Sequence, residues 1–242
     1  MIFFLKKYKR LVSYLVALSL IAGLAYLLGW SSLLTVKKVE ISGTNSISEI
    51  QGQLQKKNLS LNPGMRLARV DLRGIKSTLS EMDWLDSYSV DRNWLSGQIQ
   101  LKVVEKVGVA KALSETGATL YFDADGVLFK PISRVQISTS SQLALVSTES
   151  RSRADLAGVA TLMQGLPKNL EFLLTELKSI SVGKSGYLTM ITKVEGRDVQ
   201  INWGKADSLE QKFQVLSALL ELPENKAATK FDLSIPDSPI AS

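Results

Sequence analysis

Three short stretches hold residue types whose spacing could do chemistry. Asp123-Ala124-Asp125-Gly126 follows the apolar run Leu120-Tyr121-Phe122, which places two carboxylates two residues apart at the end of a strand pattern. Such a pair could supply a nucleophile and an acid–base group around Mg²⁺. Ser181-Val182-Gly183-Lys184 sets a hydroxyl three residues before an amine, and Lys184-Ser185-Gly186 overlaps it. Catalysis has few other groups to draw on, because the chain has 0 Cys and 0 His. That excludes disulfides, Cys/His zinc sites and imidazole-based triads.

The Asp-x-Asp-Gly stretch resembles the nucleophile motif of haloacid-dehalogenase-type phosphatases, with Asp123 and Asp125 in the two carboxylate roles. That chemistry also needs a distal acidic pair and an alternating βα framework, and the sequence downstream contains no Asp-Asp or Gly-Asp-x-x-x-Asp. The competing reading is a tight turn in which Asp123 caps its own backbone and Gly126 takes positive φ. The Ser-x-x-Lys and Lys-Ser-Gly matches belong to separate parts of the active site of penicillin-binding enzymes. Packed into residues 181–186 they read as a hairpin loop. No catalytic, cofactor or metal residue is assigned.

The elements that would position these residues start with a membrane segment. From Leu11 to Val36 there are 26 residues without a charge, more than the roughly 20 that span a bilayer. Lys6, Lys7, Lys9 and Arg10 precede it, so residues 1–10 are expected in the cytoplasm, residues 11–36 in the membrane and the body outside. A cleaved signal peptide with a small-residue site at Gly23-Leu24-Ala25 is the rival, but the apolar run continues well past it. Removing the four N-terminal cations leaves 25 basic and 23 acidic residues, which is not the footprint of a nucleic-acid-binding protein.

The body reads as two modules, 36–105 and 106–242. In the first, Val36–Ile41 is a strand pattern and Ser46-Ile47-Ser48-Glu49 a capping box opening a helix to Lys57. Asp71 caps a second helix with Leu72, Ile75, Leu79 and Met82 in one stripe. Strands follow at Leu85–Trp94 and at 98–105, where Ile99, Leu101 and Val103 alternate with polar residues. In the second module the strand patterns are Val109–Leu113, Ala118–Phe122, Val127–Phe129 after the Asp123–Gly126 turn, Leu177–Val182, Tyr187–Lys193, Asp198–Trp203 and Thr229–Ile235. Two helices are expected, one capped by Ser152 and one by Asp207 and running to Leu222, with a Ser-rich loop over 131–142. Trp84, Trp94 and Trp203 suit either interface anchors or core filling, and Arg66, Arg69 and Arg73 form a small basic cluster.

The expected class is α+β: a single transmembrane helix, a β-α-α-β-β domain, then a strand-rich mixed domain. The β-α-α-β-β order is that of a POTRA domain. Together with the span, the series VKKVEISG, GMRLARVDLRGI, WLDSYSVDRNW and LKVVEKVGVA resembles the FtsQ/DivIB family of bacterial division proteins. GMRLARVDLRGI, YFDADGVLF and FDLSIPDSP most resemble its Gram-positive, actinobacterial-type members. The resemblance implies a non-enzymatic, single-span divisome scaffold at the septum, partnered by small coiled-coil membrane proteins of the FtsB/DivIC and FtsL types, that helps control septal peptidoglycan synthesis. It also implies docking of the FtsB-type partner on the last strand, at Lys230, Phe231, Leu233 and Ile235. The residues themselves point to the same strand, as an edge with nothing downstream to cover it. The alternative function is a general POTRA-containing envelope factor that binds extended segments.

Overall fold

The computed structural model describes residues 2–29, 34–113, 117–133, 136, 144–148 and 152–242, with side chains from residue 12 onward except at 27–29. Most of the expected loop 131–142, and Trp30, lie outside the described residues. The chain divides into two compact units, Met1–Glu105 and Lys106–Ser242.

The first unit opens with helix α1 (Ile2–Gly29), whose described side chains are all exposed. Among the described residues no helix is long and apolar enough to cross a membrane. The uncharged run also outlasts the helix. Thr35 bridges to Arg66, and Val36 is buried, so the end of the expected 11–36 span belongs to the folded body.

The rest of this unit is β1 (Lys38–Ser42), α2 (Ile47–Lys56), α3 (Leu72–Ser80), β2 (Leu85–Asn93) and β3 (Gln98–Glu105). The sheet order is β1-β3-β2, with β1 parallel to β3 and β2 antiparallel to it. Ile99, Leu101 and Val103 turn one face of β3 inward, and Ile50, Leu54, Ile75 and Leu79 bury the helices' apolar stripes. Asp71 caps α3 as expected, accepting the Gly74 N–H at 2.9 Å. The capping box at α2 is not formed, since the Ser46 side chain makes no cap bond. The Thr44 hydroxyl instead accepts the Ser46 N–H at 2.8 Å and donates to Glu105, so a local turn enters the helix and ties it to the end of β3.

Nine strands of the described residues form the sheet of the second unit. They are β4 (Ala110–Leu113), β5 (Thr119–Phe122), β6 (Leu128–Phe129), β7 (Leu145–Thr148), β8 (Leu177–Val182), β9 (Leu188–Val194), β10 (Arg197–Gly204), β11 (Lys230–Asp232) and β12 (Ile240–Ala241). Their order is β12-β11-β10-β9-β8-β7-β4-β5-β6. Leu188, Met190, Thr192 and Val194 alternate inward along β9, and Val199, Ile201 and Trp203 do so along β10. Helices α4 (Arg153–Gly165) and α6 (Leu209–Glu221) and the short α5 (Phe172–Thr175) contribute Leu156, Val159, Leu173, Phe213 and Leu216 to the same core. Ser152 caps α4 as expected, accepting the Asp155 N–H. Two strands escaped the sequence reading: β7, parallel to both β4 and β8, and β12.

Candidate functional site

The chemistry-bearing turns resolve first. Asp123 is 8% exposed, and its Oδ1 accepts the N–H groups of Asp125 at 3.0 Å and Val127 at 2.8 Å. Its Oδ2 pairs with Lys106 Nζ at 3.0 Å. Both oxygens are therefore occupied, one by the turn and the other by Lys106. Gly126 has φ +73°, and a Cβ there would lie 2.2 Å from the Arg153 carbonyl oxygen, so the turn presses against the start of α4. The strand leading into it, β5, is antiparallel to β4 and β6, which is not the alternating βα framework a phosphatase of this type needs. Among the described residues no group of three acidic side chains could hold a metal ion. Gly183–Gly186 closes the β8–β9 hairpin, with Gly183 donating to the Tyr187 carbonyl at 3.1 Å. Ser181 lies on β8, so the Ser-x-x-Lys spacing is a strand running into its turn.

The end of the sheet is built differently from the expected bare last strand. β11 runs parallel to β10, pairing Phe231 with Ile201. Residues 235–239 then turn the chain back, and β12 pairs antiparallel with β11, Phe231 opposite Ala241 and Asp232 opposite Ile240. Thr229 and Lys230 both donate to the Ser242 carbonyl, at 2.8 and 2.9 Å, and Ser242 N–H returns a bond to Lys230. β11 is thus covered, and the outermost strand is β12. Pro236 and Pro239 lie within this reversal, where no ladder N–H is required of them.

The four residues of the expected docking strand separate accordingly. Phe231 and Leu233, at 1% and 0% exposure, face the core. Lys230 is exposed on the other face, and Ile235, 64% exposed, does not continue the packed alternation. Ile240, 62% exposed on β12, is the apolar residue that the sequence reading missed. A period-2 count could not find it, because a two-residue strand has no period.

A carboxylate holds this corner together. Asp232 Oδ1 accepts the Ser234 N–H at 2.9 Å and hydroxyl at 2.6 Å, while Oδ2 accepts Asn202 Nδ2 at 3.0 Å. Burial works to raise its pKa, but the Ser234 and Asn202 bonds and the Lys230 charge prevail and hold it below the ordinary carboxylate value. Gly204, at φ +66°, lets the chain cross the end of β10, since a Cβ there would stand 2.8 Å from Ser234 Cα.

Of the three tryptophans in the two modules, Trp84 and Trp203 fill core, the latter edge-on to Phe213 at 5.5 Å. Trp94 is 39% exposed, with the Arg92 guanidinium 4.9 Å from its ring centroid.

Comparison with known proteins accounts for this architecture. Residues 34–106 match the family model described as POTRA domain, FtsQ-type. That range takes in the β-α-α-β-β unit and the bridge at Thr35. The likeness continues past it, for 236 residues are 27% identical to "Cell division protein FtsQ" of Streptomyces collinus, spanning 92% of this chain and 83% of that protein. The first module matches the FtsQ-type POTRA domain, and over most of its length the chain is similar to an FtsQ division protein. The match starts at Leu34, one residue before the Thr35 bridge, and not at the first charge after the apolar run. The likeness is thus to a cell-division protein, and the body is mixed α/β.

Proposed function

We propose that this FtsQ-type chain is a non-enzymatic, single-span divisome scaffold. Its second module binds a partner segment by strand addition at the β12 edge and so helps control septal peptidoglycan synthesis. One observation carries the reading: β12 stands at the end of the sheet order, with Ile240 exposed on it. An outermost strand offers N–H and C=O groups on its open side, which an extended segment can use. The occupants it would serve are small coiled-coil membrane proteins of the FtsB/DivIC and FtsL types. The span lies within the uncharged run that starts at Leu11, where α1 extends to Gly29, with the basic head cytoplasmic and the body outside. The working site would then be the division septum.

The test removes residues 240–242 or substitutes Ile240→Asp, and measures binding of the full chain to the FtsB/DivIC-type protein of the same bacterium. Affinity should fall at least about tenfold, the cost of losing an interface anchor. Leu233→Asp is the wrong probe, because Leu233 lies in the core and a charge there would unfold the module. Unchanged affinity in both edge variants would sink the strand assignment. A fluorescent protein fused before Met1 then checks the site of action, and uniform envelope fluorescence would contradict septal recruitment.

A second edge favours the general envelope-factor reading. β2, nine residues long, is the outer strand of the first sheet, opposite β1. Its Asp86, Asp91 and Arg92 place charges along it, as protected edges do, so the β12 reading is preferred.

A further inference from the structure

The first module carries an apolar point at the end where its chain enters. β2 and β3 meet in the tip Asn93–Gly97, and Leu95 there is 96% exposed beside the partly exposed Trp94. Asn93 Oδ1 accepts the N–H groups of Leu95 at 3.0 Å and Ser96 at 3.1 Å, and Gly97 donates back to the Asn93 carbonyl at 3.0 Å. The turn therefore holds Leu95 outward by its own bonds. Arg92, stacked on Trp94, donates to the Val70 carbonyl at 2.6 Å and fixes the ring from behind.

This tip lies against the incoming chain. Lys37 donates to the Gly97 carbonyl at 2.7 Å, and a Cβ on Gly97 would stand 2.7 Å from the Thr35 carbonyl oxygen. The loop Asn62–Arg66 lies at the same end, with Val36 donating to the Met65 carbonyl at 2.7 Å and Gly64 to the Val36 carbonyl at 2.8 Å. The three segments 34–38, 62–66 and 93–97 hold three cations, Lys37, Lys38 and Arg66, and no acidic residue.

We propose that this end of the first module is a lipid-contacting face, on which Trp94 and Leu95 enter the interfacial region of the outer leaflet and Lys37 and Arg66 meet anionic headgroups. The inference rests on the reading of α1 as a membrane anchor. A span of roughly 20 residues from Leu11 leaves the hydrocarbon near residue 30. The module's first bridge is already at Thr35, inside the same uncharged run. Those few residues cannot carry the module far from the headgroups, since extended chain covers at most about 3.5 Å per residue. An exposed Trp–Leu pair rimmed by cations is the composition that settles at such an interface.

The absence of native Cys gives a direct test on the full chain. Leu95→Cys, Tyr88→Cys and Leu20→Cys each receive an environment-sensitive fluorophore, and the proteins are reconstituted in vesicles of phosphatidylethanolamine and phosphatidylglycerol containing a spin-labelled, quenching lipid. Tyr88 sits on the same strand as the tip but about 20 Å back along it, at the rise of an extended strand. The labels at 20 and 95 should be quenched by the lipid, and the label at 88 only by aqueous iodide. Replacing phosphatidylglycerol with phosphatidylcholine should weaken quenching at 95 and leave 20 unchanged. Quenching at 20 without quenching at 95 would overturn the lipid-contacting face and leave the anchor standing. Loss of quenching at both positions would overturn the two together. Quenching at 95 indifferent to lipid charge would remove the cations from the proposal.

Discussion

Lys212 has 0% of its side chain exposed, yet it carries a charge on the core side of α6. Its Nζ donates to the Lys205 carbonyl and to Asp207 Oδ1, both at 2.8 Å, so it ties the loop after β10 to the helix. Asp207 is therefore not the helix cap expected from its position. The cap is Ser208, at φ +47° with no side-chain cap bond. The Lys212 hydrogen bond lowers the Asp207 pKa against the opposing effect of burial, and the Lys212 charge acts the same way. Asp207 itself is 68% exposed, so solvent screens much of the attraction. Removing it still leaves a buried ammonium with one partner. Asp207→Ala should cost about 1–2 kcal/mol, the penalty for an under-satisfied buried donor. Lys212→Met should cost less, because it removes the charge and keeps the volume. Urea denaturation at pH 7 decides, and a larger loss in Lys212→Met would reverse the assignment of roles.

At the scale of elements, the C-terminal corner depends on an ionised Asp232. Its native pKa lies below the unfolded carboxylate value of about 3.9, so the folded state favours the charged form. That stabilisation is complete above the unfolded pKa and is lost as pH falls through the native one. Asp232→Asn should lose roughly 1 kcal/mol at neutral pH, the size of a weakened charge-assisted bond. Its stability should also depend less on pH than the wild type's as the medium is acidified below about pH 5. Parallel acid titrations of the two proteins would refute this assignment. The same corner shows why β12 and β7 escaped a reading by pattern. Ile240-Ala241 is too short to display alternation and Leu145–Thr148 buries only Val146, and each becomes a strand because a neighbour offers a ladder. Ile99, Leu101 and Val103, in contrast, declared β3 at sight, because a half-buried strand writes its two faces into the order of its residues.

At the scale of the molecule, each unit keeps its own core. Ile201→Ala, in the middle of the second sheet, should destabilise that unit by about 2–4 kcal/mol through the cavity it leaves. Amide-exchange protection of Ile99–Val103 in the first unit should stay unchanged. Faster exchange in both units would mean that they unfold as one. Exchange confined to residues 106–242 agrees with two separate cores.

The order of elements in the first module, the Asp71 and Ser152 caps, the turn at Asp123–Gly126 and the family resemblance were all legible in the residues. Each rests on local chemistry: a period, a capping oxygen, or a glycine where φ is positive. The Ser46 cap misled because Thr44, two residues earlier, competes for the same turn, and Asp207 misled because Lys212 claims its carboxylate. Which strand ends the sheet was not a local matter. Phe231 and Leu233 read correctly as one face of a strand, but whether that strand is an edge depends on where the chain goes after Pro236, and the alternation along a strand records its faces and not its neighbours. The covering of β11 by β12, and the placing of Leu95 beside the entering chain, were decided by tertiary hydrogen bonds between segments far apart in sequence.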